Sequence, residues 1–347
     1  MELWQGSDDV EAAQDQLEAA GLTDGLPVIP ATPERVERML AALNGDPAEL
    51  VAELPPLWER ATWRDIAVNA VMAGCRPGYL PIVGAAIEAI AADEFGLMSI
   101  ATTTGSVAPV AIVNGPSARA LMMNSGGNAL GPGNRANATI GRAISLSMRN
   151  IGGARPGEFD MATLGQPAKY TCCFAENEDA SPWPALHVER GFPRDASVVT
   201  AIGASGIVEV AEACSDRPED LAQTFAESML IAGNLGRDGL LGSGEPLVVL
   251  PPELAQVFAD AGCSKDDVKR LIFERAIMPL ERLSPAVQKY VQELVDGRKV
   301  EVLHVARRPE DILIVVAGGV GAKAAYLPTW GGGTKAVSRR VRQRSRG

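Results

Sequence analysis

Residues 165–192, GQPAKYTCCFAENEDASPWPALHVERGF, put a lysine, two adjacent thiols, four acids and a histidine into one short stretch. Read as a strand, the stretch sends Cys172 and Cys173 to opposite faces and leaves Lys169, Thr171 and Cys173 on one face. A cation beside a thiol favours the thiolate, so Cys173 is a candidate nucleophile or redox thiol. His187 with Glu176 or Glu189 supplies the groups for proton transfer near neutral pH. The plainer alternative is a core cysteine, an acidic surface turn and a histidine bonded to backbone. The density of mixed polarity in an otherwise apolar chain favours chemistry. A further thiol, Cys75 in VMAGCRPGYLP, lies between two expected helices. The first helix's C-terminus raises its pKa, while Arg76 and the next N-terminus lower it. A small buried residue at a tight corner is the alternative there.

The other chemically suggestive stretch is NSGGNALGPGNRANATIGRA, Asn124 to Ala143. A Walker phosphate loop needs Gly-Lys-Ser/Thr, and here Gly133-Asn134-Arg135 stands instead, which disfavours classical ATP or GTP binding. Anion binding by other means remains physically sound. Asn137 or Thr139 can cap the following helix, whose free amides carry partial positive charge. Arg135 and Arg142 flank that end, and the guanidinium fork suits a carboxylate. The same residues also make a Gly-Pro-Gly turn with asparagine caps and two solvated arginines. A second glycine cluster, Gly319 to Ala324, fits G-x-G-x-x-A. It lacks the following βαβ unit and acidic residue that a dinucleotide site requires, so a Rossmann site is rejected and no cofactor is identified.

Five cysteines without a CxxC pair, in a chain this long, are expected to be reduced thiols. His187 and His304 lack a second ligand at helical spacing, so no structural zinc site is expected. A hard cation on carboxylates and carbonyls is compatible with the sequence.

Helices are expected over 9–20, from Pro33, in TWRDIAVNAVMAG and YLPIVGAAIEAIAA, and over 218–233, 252–261, 265–275 and 284–297. LMSIATTTG, PVAIVNG, AKYTCCFA, ASVVTAIG, PLVVL and DILIVVAGG read as strands. The alternation indicates an α/β fold, a mixed sheet with helices on both faces. The strand-turn-helix units from Pro109 and from Pro246 resemble one another, which suggests an internal duplication with the glycine-rich stretch inserted in the first copy. Three regions follow: an N-terminal helical and extended arm over 1–60, a first α/β unit over 61–206, and a second over 207–347 with a basic tail.

The 347 residues are 46% hydrophobic and 22% charged, which fits a globular protein of one large or two moderate domains. A net charge of -11 argues against general nucleic-acid binding. The acidic start reads as neither a secretory signal nor a transit peptide, and the most apolar helix carries Glu88 and is too short to span a bilayer. A cytoplasmic location is expected.

TDGLPVIPATPERV, VMAGCRPGYLPIV, GPGNRANATIGRA, GQPAKYTCCFAENE with SPWPALHVERGF, and DILIVVAGG together resemble a group of bacterial proteins. Members of this group are found beside, or fused to, proteins of the UGSC type, named for a selenocysteine- or cysteine-containing Gly-Ser-Cys motif. The resemblance covers about residues 21 to 340. It implies a partner with a reactive thiol or selenol, and a redox or thiol-adduct reaction. This chain has no Gly-Ser-Cys motif of its own. The functional expectation is an enzyme, or its substrate-binding subunit, acting on a small anionic organic molecule by reduction or by a lyase or hydrolase step. Arg135, Asn137, Arg142 and Lys169 would bind substrate; Cys75, Cys173, Glu176 and His187 would carry the chemistry. Other classes compatible with the residues are a noncatalytic scaffold that docks a thiol-bearing partner and a small-molecule binding protein. Assembly as a homo- or hetero-oligomer is expected.

Overall fold

The computed structural model describes residues 9–242, 244–295 and 299–342. The first eight residues, the end of the helix expected over 284–297 and the last five residues of the basic tail lie outside these ranges.

The N-terminal arm holds α1 (Val10–Ala19) and α2 (Pro33–Leu40), capped by the side chains of Asp9 and Thr32, then the antiparallel hairpin β1 (Leu50–Leu54) and β2 (Glu59–Thr62). A reciprocal capping box between Thr62 and Asp65 starts α3 (Trp63–Ala73), and Gly74, at φ 88°, ends it in the left-handed conformation that glycine tolerates. Next come α4 (Leu80–Ile90) and α5 (Leu97–Thr102). A Cβ added at Gly84 would lie 2.1 Å from the Trp63 ring, so the glycine is what lets α4 approach α3. The remaining elements of the first half are β3 (Ala108–Asn114), α6 (Pro116–Ala120), α7 (Arg135–Asn150), β4 (Cys173–Ala175), α8 (Leu186–Glu189) and β5 (Val198–Ala204). The second half contains β6 (Val208–Ala211), α9 (Pro218–Met229), β7 (Leu247–Leu250), α10 (Pro252–Asp260) and α11 (Lys265–Arg275). It continues through β8 (Ile277–Pro279), α12 (Pro285–Leu294), β9 (Val302–His304), β10 (Leu313–Val316), β11 (Lys323–Leu327) and β12 (Val337–Arg340).

Two four-stranded sheets, ordered β12-β5-β3-β4 and β10-β7-β11-β6, form the centre. Each has one parallel pair, β3 with β4 and β7 with β10, followed by two antiparallel pairings. β5 runs on into β6 at the edge of the second sheet, and β11 is followed by β12, which returns to the edge of the first. The stretch 207–347 therefore supplies all four strands of the second sheet and the edge strand β12 of the first.

Strand alternation assigns the layers. Val110 and Ile112 of β3 join Val249, Val315 and Leu327 in a core between the two sheets. Ala111, Val113 and Cys173 face the other way, onto α3, α4 and α7. Val248, Leu250 and Ile314 likewise face α9, α10 and α11. The protein is an α/β fold in which helices flank the paired sheets on both outer faces. Each fully buried Val or Leu of these strands contributes about 1.5–3 kcal/mol, which explains why short, continuous apolar runs hold the centre.

Two expected strands differ. LMSIATTTG contains α5, because Leu97, Ile100 and Ala101 are the buried residues and their spacing is helical. AKYTCCFA contributes only Cys173–Ala175, preceded by a single 3-10 turn at Pro167–Lys169. Among the described residues, no helix is long and apolar enough to cross a membrane.

Candidate functional site

Cys75 follows the C-cap of α3. Its amide donates to the Ala70 carbonyl, and its Sγ donates to the Thr139 carbonyl at 3.2 Å. Burial pushes this thiol up to about 12, against smaller opposing effects of Thr139 and Arg135. Cys173 opens β4 in the same core; burial raises it well above the usual thiol range, and negative charge at Cys172 or Cys75 would raise it further. Cys172 is pushed up to about 12 by burial alone. The two expected nucleophiles are thus neutral thiols packed beneath α7. Lys169, expected on the strand face of Cys173, lies in the 3-10 turn, and its Nζ donates to Asp160 at 2.5 Å. The activating cation is turned to another partner.

Glu176, just after β4, is buried. Its Oε2 accepts hydrogen bonds from Asn114 Nδ2 at 2.7 Å and from the Leu186 amide at 2.8 Å. Lys265 Nζ stands 3.9 Å from Oε1. Burial raises this carboxyl above its ordinary range, with Lys265 the largest opposing influence. Lys265 also donates to Glu189 at 2.6 Å and to the Pro184 carbonyl, and Lys269 reaches Glu189 at 3.0 Å. The cluster ties β4 and α8 of the first half to α11 of the second. His187 is fully buried, and its Nε2 faces the Arg194 carbonyl at 3.3 Å rather than a carboxylate. Enclosure, not access, is the common feature of these acid–base candidates.

The glycine-rich stretch is an ordered loop into α7. Asn134, not Asn137 or Thr139, is the N-cap, its side chain accepting from the Asn137 amide at 3.0 Å. Asn137 turns its own side chain inward: Oδ1 accepts from the Asn124 amide, and Nδ2 donates to the carbonyls of Asn124 and Ala129. It holds the loop in place. Arg135 sends Nε and Nη2 to the Gly74 carbonyl at 3.0 and 2.8 Å, a cation set on the C-terminal end of α3. Arg142 grips Asp24 with Nε at 2.8 Å and Nη2 at 2.7 Å and adds the carbonyls of Leu26 and Pro27. Its fork is therefore filled from within the protein. Burial works against the Asp24 carboxylate, but Arg142 and the neighbouring amides outweigh it, and the group sits below its ordinary range.

That ion pair borders a cavity of about 590 Å³ lined by Asp24, Ser145, Arg149, Asp160, Lys169 and Tyr170 among others. Arg142, Ser145 and Arg149, spaced three and four residues apart, bring one face of α7 to it. The 3-10 turn supplies Lys169 and Tyr170, and the loop before it supplies Asp160. Leu164, 95% exposed, stands at the margin. Of the residues expected from sequence, Lys169 lines this cavity and Arg142 fixes its wall. Cys75, Cys173, Arg135, Glu176 and His187 are elsewhere. Arg149, Asp160 and Tyr170 were not anticipated. Ser145 and Arg149 share a helical stripe with Arg142, which was a usable signal. Asp24 stood in TDGLP, where its sequence context suggested only a turn.

No family model matches the chain, and no curated protein matches it.

Proposed function

We propose that this chain is the substrate-holding subunit of a thiol- or selenol-dependent enzyme, that it binds a small organic carboxylate, and that a UGSC-type partner supplies the reactive sulfur or selenium. The observation that carries this proposal is the convergence of Arg149, Lys169 and Tyr170 on one cavity, where Asp24 pairs with Arg142 and Asp160 with Lys169, so that Arg149 is the lining cation without a carboxylate partner among the described residues. Side-chain cations hold a carboxylate by charge-assisted hydrogen bonds. The Lys169–Asp160 pair and the Tyr170 phenol offer proton donors and acceptors beside a bound substrate. Cys75, Cys172 and Cys173 are buried, and burial raises each thiol above its ordinary range, which favours an external nucleophile over an internal one.

The test combines the purified chain with a UGSC-type protein from the same genome and follows consumption of candidate carboxylates. Turnover is expected only in the mixture, and Cys75→Ala and Cys173→Ala variants should retain it. Turnover by the chain alone, abolished by either substitution, would contradict the proposal.

A further inference from the structure

The two glycine clusters of the sequence, far apart along the chain, meet in space. The Gly318 amide donates to the Ser125 carbonyl at 2.9 Å, and a Cβ on Gly319 would lie 2.9 Å from the Gly127 Cα. The loop after β10 and the loop before α7 thus touch backbone to backbone, which any side chain at Gly319 would prevent. Between them and β11 lies a second cavity, of about 500 Å³. Its lining includes the cation Lys323 on β11, with Glu209 of β6 3.7 Å from the ammonium. The amides of Asn128, Gly319 and Val320 have no acceptor among the described residues, while the next amide of the loop, Gly321, donates to Glu253 Oε2 at 2.9 Å. Val320, 95% exposed, and Ile207, 44% exposed, leave aliphatic surface at the same cavity.

Successive free amides beside a cation form a concave anion site, and backbone donors suit the tetrahedral oxygens of phosphate. Aliphatic surface next to such a site suits a carbon skeleton. We propose that this cavity binds a small phosphorylated organic molecule, its phosphate held by the facing glycine loops and Lys323, its carbon skeleton against Val320 and Ile207. This site is separate from the carboxylate cavity and does not rest on that proposal.

The test is a titration of the full chain with inorganic phosphate and with phenyl phosphate, followed by phosphorus NMR line broadening. Both should bind, phenyl phosphate more tightly. Lys323→Ala should weaken both about tenfold with melting unchanged, because the side chain is exposed and one charge-assisted contact is lost. Gly319→Ala should also weaken both by separating the loops. Should that variant fail to fold, Lys323→Ala still decides the matter. Lys169→Met, which alters the carboxylate cavity, should leave phosphate binding intact. The proposal is overturned if neither probe binds, if Lys323→Ala binds like wild type, or if Lys169→Met abolishes binding.

Discussion

Thiol alkylation offers a quantitative prediction. At about pH 8 a thiol with a pKa of about 12, the value to which burial pushes Cys75, is only ~0.01% thiolate. An unperturbed cysteine of pKa ~8.5 is about one quarter thiolate at the same pH. Ionisation alone therefore slows iodoacetamide attack on Cys75 about three orders of magnitude, before any steric protection. Cys172 is expected to behave like Cys75, and Cys173, also buried and raised well above the usual thiol range, is expected to be slow too. Cys214 is exposed and serves as the accessible control within the same molecule. Native protein is alkylated over a time course, quenched, and each cysteine is quantified by peptide mass spectrometry. Cys214 should saturate while Cys75, Cys172 and Cys173 remain unmodified, and all should react once the chain is unfolded. Modification of Cys75 or Cys173 at a rate within tenfold of Cys214 would refute the conclusion that they are inert core residues.

Three substitutions extend the test. Arg135→Ala removes a cation from the α3 C-terminus and should cost about 1 kcal/mol, lowering the melting temperature slightly while carboxylate binding is unchanged; calorimetry reads both. Glu176→Gln keeps an acceptor for the Leu186 amide and removes a buried ionisable group. Because the folded carboxyl is raised, wild-type stability falls as pH climbs from the ordinary carboxylate range through the folded value. The variant should lack that fall in urea melts across the pH range, and a steeper fall would reverse the sign of the reasoning. Asp24→Asn strands Arg142, whose pair is mostly buried, and should cost about 2–3 kcal/mol at neutral pH. Asp24 is depressed in the folded state, so its contribution is complete above the unfolded pKa of ~3.9 and vanishes as pH falls through the folded value. The gap between wild type and Asp24→Asn should therefore close in acid.

The central strands were legible because PVAIVNG, PLVVL and DILIVVA are continuous apolar runs, as strands covered on both faces must be. LMSIATTTG misled because its β-branched residues suggested a strand while its buried positions follow the helical period. β11 and β12 were missed: KAAYL is rich in alanine, and VSRR is a polar edge strand whose partner β5 lies more than a hundred residues earlier. The same distance problem governs the site. Arg142 has the chemistry of a substrate fork, but only the fold reveals that Asp24, 118 residues away, already occupies it. Arg135, expected to bind substrate, is likewise engaged from within the protein, because α3 places the Gly74 carbonyl opposite it. Burial, which makes Cys75 and Cys173 neutral, is a property of packing that residue spacing does not encode. Lys169 was chosen for its proximity to Cys173 along a strand; it reaches the cavity instead because the backbone turns at Pro167–Lys169.

The proposal that Arg149 and Lys169 hold a carboxylate is tested most directly by calorimetric titration of the full chain with a panel of small mono- and dicarboxylates, repeated on Lys169→Met and Arg149→Met. Binding by wild type is expected, weakened about tenfold in each variant, with Lys323→Ala unaffected. Absence of binding across the panel, or binding indifferent to both substitutions, would contradict a carboxylate site in this cavity.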